Sequence, residues 1–204
     1  MSRPVPRLIA TPLAPAILLS LFSPTRAEII TWKSNPPDDD WHSAANWIGS
    51  SAPNSSDDTA VFGLSLLFNV YITEDFNLGA LQFLSDVNRS YAIWITGEAP
   101  NGHILELSGA GVINDSTSYI PRLITRADPS GKAGLLVFSN SATAGHSSVQ
   151  NHGAAIEDGL GGGTVFQDSS NAGTATISNF NGISQGGFTE FRDDSSAAQS
   201  TIIS

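Results

Sequence analysis

Three consecutive carboxylates, Asp38-Asp39-Asp40, lie among three tryptophans, Trp32, Trp41 and Trp47. Aromatic faces beside carboxylates suit a sugar ring or a calcium ion, which makes these tryptophans weak ligand-binding candidates. The competing reading is architectural: the indoles close off one end of the fold, and the acids occupy a solvated loop after Pro36-Pro37. Calcium wants alternating acids with a distant glutamate, and that pattern is missing. The four histidines, His42, His103, His146 and His152, form no His-Glu-x-x-His pair or other metal-ligand spacing. No Gly-x-Ser-x-Gly elbow marks a serine nucleophile. Gly159 to Gly163 lacks the Lys-Ser/Thr ending of a phosphate loop. With no cysteine, disulfides, thiolate zinc sites and cysteine nucleophiles are excluded. The expectation is a chain with no catalytic residue, no cofactor and no metal.

Charge narrows the partners. The 204 residues carry 9 Lys plus Arg against 19 Asp plus Glu. Arg3, Arg7 and Arg26 all precede the first acid, Glu28, so the remainder holds six basic groups against nineteen acidic. Nucleic acid binding draws on a basic surface, so DNA and RNA are excluded as partners. Residues 1–27 read as a secretory signal peptide: Arg3 and Arg7, an apolar run from Leu8 to Phe22, then Thr25-Arg26-Ala27 with small residues before a cut. No later stretch approaches the length of a membrane-spanning helix.

The elements expected after Ala27 are strands. Runs such as Asn69 to Thr73, Leu78 to Leu84, Tyr91 to Thr96, His103 to Leu107 and Leu135 to Phe138 are short and rich in β-branched and aromatic residues. An internal repeat organises the last third. Phe138, Phe166 and Phe191 recur at spacings of 28 and 25. Each is followed by Asn140, Asp168 or Asp193, then by Ala144, Ala172 or Ala197, and then by Val149, Ile177 or Ile202. A period near 25 without helix signals predicts an all-β parallel β-helix, or β-solenoid, of about seven coils. Phe138, Phe166 and Phe191 form one inward stack and Val149, Ile177 and Ile202 another. Asn and Asp turn corners because they tolerate left-handed backbone. Stacked acids can also serve a glycosidase, but here they fall in a repeat column and one member is Asn. The extra residues in the longer period, around Asp158 to Gly163, read as a turn insertion. An antiparallel sandwich is the other fold with many short strands, and it predicts no such register. The expected organisation is a signal peptide at 1–27, a Trp-rich N-terminal capping region at 28–68, and solenoid repeats at 69–204.

The stretch Val165-Phe166-Gln167-Asp168-Ser169-Ser170-Asn171-Ala172-Gly173-Thr174-Ala175-Thr176-Ile177-Ser178-Asn179 resembles the β-strand repeat of bacterial autotransporter passenger regions. Trp32 to Trp47, Asp58 to Gly63 and Leu105 to Asn114 are similar to the opening of such surface proteins. The likeness covers residues 30 to 204. It implies an exported, noncatalytic segment at the bacterial surface, for display or adhesion, with a host-surface or matrix polysaccharide or protein as partner. The alternative is a carbohydrate-active or carbohydrate-binding β-helix protein. Autotransporters end in a membrane β-barrel, whereas this sequence stops at Ile202-Ile203-Ser204, inside its third repeat. The expectation is therefore an incomplete C-terminal end, and a periplasmic location if no barrel follows.

Overall fold

The computed structural model describes residues 27–97 and 102–204. The expected signal peptide falls outside them except for Ala27. Thirteen strands follow one another: β1 (Ile29–Thr31), β2 (Thr59–Phe62), β3 (Asn69–Ile72), β4 (Phe76–Phe83), β5 (Ala92–Ile95), β6 (Ile104–Asn114), β7 (Arg122–Thr125), β8 (Leu135–Phe138), β9 (Ser148–Asn151), β10 (Gly163–Phe166), β11 (Thr176–Asn179), β12 (Phe188–Phe191) and β13 (Thr201–Ile203). Apart from these, the described residues hold one short 3-10 turn, Ala44–Asn46.

From β2 onward the strands alternate between two sheets. One runs β1-β2-β4-β6-β8-β10-β12 and the other β3-β5-β7-β9-β11-β13. Every ladder is parallel, so the chain winds as a β-solenoid. There are six two-strand coils after β1, rather than the seven that the period implies. The difference arises near the start, where Trp32 to Asp58 forms a lobe of bridges and turns rather than a coil. In addition, β4 and β6 are long strands that lengthen their coils.

The register sets the core columns. Phe166 pairs with Phe138 on one side and Phe191 on the other. Their rings stack at 4.8 and 4.9 Å with interplanar angles of 7° and 8°. Those spacings match the separation of neighbouring strands, about 4.7–4.9 Å, so the backbone imposes the face-to-face stack. Val149, Ile177 and Ile202 are likewise in register, continuing Val70, Ile93 and Leu123. The corner after each Phe carries Asn140, Asp168 and Asp193 at φ of 53°, 56° and 53°. Asp168 Oδ2 accepts from the Asn140 N–H at 2.8 Å, and Asp193 Oδ2 from the Asp168 N–H at 3.3 Å. Each acid thus ties its own corner to the one below.

One inward column changes character along the rod. Ile72, Ile95, Thr125, Asn151 and Asn179 occupy successive coils. Asn151 is fully buried, as are Thr125 and Thr164. Its Oδ1 accepts from both threonine hydroxyls at 2.8 Å. Its Nδ2 donates to Asn179 Oδ1 at 2.9 Å and Thr189 Oγ1 at 3.2 Å. All four hydrogen-bonding positions of the amide are filled, as a buried amide requires.

Candidate functional site

The three tryptophans of the N-terminal lobe are buried: Trp32 is 2% exposed, and Trp41 and Trp47 are fully covered. Trp47 meets Trp32 edge-to-face at 5.0 Å and Trp41 at 4.9 Å, and all three surround Phe62. Trp41 Nε1 donates to the Pro53 carbonyl and Trp47 Nε1 to the Trp41 carbonyl. Rings held in this way offer no free face to a sugar, and they cover the end of the core. Two of the neighbouring acids are engaged, and Asp39 between them is exposed. Asp38 accepts from Asn46 at 2.6 Å, and this bond, outweighing partial desolvation, holds its carboxyl below the usual range. Asp40 Oδ1 accepts from the Thr73 hydroxyl at 2.7 Å. Among the described residues no cluster of His, Asp and Glu is placed to hold a metal.

The histidines lie in four separate places. His42 meets the edge of Phe76. His103 is buried, with Nδ1 3.7 Å from Asp75. His146 lies beside Thr174, and His152 stacks on Phe180 at 4.7 Å.

The surface feature that departs most from a plain rod is a ridge of loops between the two sheets. After β7, β9 and β11 the chain makes excursions before entering β8, β10 and β12. The first is a small hairpin, bridged at Ala127 and Ala133 and turned at Gly131 with φ of 82°. The others stack on it: Leu160 N–H donates to the Gly131 carbonyl, and Ala154 N–H to the Gln185 carbonyl. The Ser184 hydroxyl lies within hydrogen-bonding distance of the Gly159 and Ile156 carbonyls. The turn insertion expected near Asp158 to Gly163 belongs to this ridge, and it makes the linker before β10 three residues longer than that before β12.

A cleft flanks the ridge on each side. On one side, a cleft of about 190 Å³ is apolar, lined by Ile104, Leu135, Leu160 and Phe188. On the other, a cleft of about 220 Å³ is lined by Tyr71, Thr96, Arg126, Ala127, Asp128 and Pro129. Period two places Tyr71 and Trp94 on the outer face of their strands, opposite the buried Val70, Ile72, Ile93 and Ile95. The two rings are nearly parallel, 5.9 Å apart. The Arg126 guanidinium lies 5.8 Å from the Trp94 ring centroid. Arg126 follows β7 directly and is exposed, and the described residues supply it no carboxylate within salt-bridge distance.

Asp128 faces the same cleft from the hairpin. Its Oδ1 accepts from the Ser130 and Lys132 N–H groups and the Ser130 hydroxyl. Desolvation pushes its carboxyl up, but these bonds together outweigh it and leave the group ionised below the usual range. The cleft therefore offers an aromatic edge, a forked donor and a fixed acceptor. Sequence reasoning missed it, although Trp94 on the polar side of an alternating strand is a visible signal. Arg126 and Asp128 join that face only through a hairpin whose path no periodicity encodes. No family model, curated protein or solved structure matches this chain.

Proposed function

We propose that this chain is a noncatalytic, exported, passenger-type β-solenoid that holds its corner loops outward for adhesion at a bacterial surface. The observation that carries the reading is the ridge: three successive excursions stacked on one another and supported by a rod whose core is continuous. A repeat rod is suited to display because each coil rests on its neighbours, and variation accumulates in the loops rather than the core. The stacked corner acids Asp168 and Asp193 bond backbone N–H groups of the preceding coil, which supports a structural role rather than acid–base work. A polysaccharide or protein on the facing surface is the partner this reading calls for.

Fractionation of the producing cell with intact-mass analysis tests the reading. The expected result is a chain beginning at Glu28 in the exported fraction, with no release of sugars or peptides from polymeric substrates. A chain still beginning at Met1 and confined to the cytosol overturns export. Turnover that disappears on replacing a single Asp overturns the noncatalytic part.

A further inference from the structure

We infer that the cleft formed by Tyr71, Thr96, Arg126 and Asp128 binds one pyranose ring of a neutral polysaccharide. The inference rests on the adhesion reading and names its ligand. Three properties of the site narrow the chemistry. Its volume, about 220 Å³, lies below the roughly 300–1,000 Å³ of sites for drug-sized molecules, so it holds one small ring rather than a folded partner. The lining pairs a guanidinium donor with a carboxylate acceptor. An apolar ligand would leave both unpaired at a cost, whereas neighbouring hydroxyls donate to one and accept from the other.

The third property is charge. From Glu28 onward six basic groups face nineteen acids, so an anionic chain is repelled at a distance, while Arg126 and Asp128 offset one another within the cleft and leave it suited to a neutral ligand. The hydrogen bonds that saturate Asp128 Oδ1 leave Oδ2 with only the Ser130 hydroxyl, so it keeps acceptor capacity. Tyr71, its ring stacked on Trp94, brings an aromatic edge to the cleft, which supplies apolar area for the C–H groups of a sugar. The cleft opens onto the outer face of the sheet, so a polymer can enter with one unit and continue along the rod.

Trp94 supplies a built-in reporter. The other three tryptophans are buried, so acrylamide quenching of the full chain reads Trp94, which lies under Arg126. The experiment titrates hexaoses of β-1,4-glucose, α-1,4-glucose, mannose, xylose and N-acetylglucosamine, followed by calorimetry and by quenching. Hexagalacturonate and a casein peptide digest serve as contrasting probes. A neutral hexaose is expected to bind and shield Trp94, with hexagalacturonate silent. Arg126→Ala weakens binding at least tenfold, and Arg126→Lys, which keeps the charge but loses the fork, also weakens it severalfold. Arg192→Ala, which removes the exposed partner of Glu190 on the other sheet, leaves binding unchanged.

The inference is overturned if no neutral hexaose binds at millimolar concentration, if binding ignores both Arg126 variants, or if only the peptides or hexagalacturonate occupy the cleft. Cell fractionation separates this from the broader reading. An exported chain that binds no sugar sinks the cleft alone, and a cytosolic chain that binds sugar sinks the display role alone.

Discussion

Replacing Asn151 by leucine tests how the two halves of the core are joined. The substitution roughly keeps side-chain volume, but it removes the acceptor shared by the Thr125 and Thr164 hydroxyls, which are 2.8 Å away and fully buried. A buried polar group stripped of its partner costs about 1–3 kcal/mol, so two cost about 2–6 kcal/mol, and about 4 kcal/mol is expected. That is a large share of the roughly 5–15 kcal/mol that holds an ordinary domain together. The triple variant Thr125→Val, Asn151→Leu, Thr164→Val removes both stranded hydroxyls and continues the Ile72–Ile95 column. Replacing the acceptor together with both fully buried donors by apolar groups of similar shape is nearly neutral, and the half-buried Asn179 and Thr189 still bond to one another, so the triple variant returns to within about 1 kcal/mol of the parent. Urea denaturation followed by far-UV circular dichroism measures both, and hydrogen exchange localises the loss to β9 through β11. The reasoning fails if the single variant loses less than about 1 kcal/mol, or if the triple variant is no more stable than the single.

Two further outcomes follow from the same packing. Phe166 is fully buried between two rings whereas Phe191 is half-buried with one described neighbour in its stack, so Phe166→Ala costs about 3–5 kcal/mol and Phe191→Ala measurably less. Equal losses in denaturation would remove the argument. His152 has its pKa lowered, first by burial and then by the charge of Arg126. The folded state therefore favours the neutral ring: the His152 contribution is complete above the unfolded value of about 6.5 and is lost as pH falls toward the lower folded value. An NMR titration midpoint below 6.5 that moves upward in Arg126→Ala is expected, and a midpoint at or above 6.5 contradicts it.

Much of the rod was legible in the residues because stacking coils repeat the same demands. Phe138, Phe166 and Phe191 occupy the same register position in successive coils, so one residue type recurs at one place. Asn140, Asp168 and Asp193 recur because a left-handed corner excludes most other side chains. Strand runs such as Leu135 to Phe138 coincide with β8 because alternation in a two-sheet wall has only one period.

The tertiary structure decided what depends on contacts between non-identical coils. Nothing in the spacing of Asn151 and Asn179 along the sequence marks them as members of one buried network. Only the neighbouring coil shows that Thr125, Thr164 and Thr189 supply their partners. The tryptophans could have faced solvent or core, and composition cannot distinguish these. Their burial against Phe62 follows from how the lobe folds back over the first coil. The cleft was least visible of all, because Tyr71, Arg126 and Asp128 come from a strand and a hairpin about 55 residues apart in the chain. A repeat carries its register in the sequence, since every coil must satisfy the same geometry. A loop between coils carries no such constraint, so the place where it lands is set by the surface it packs against.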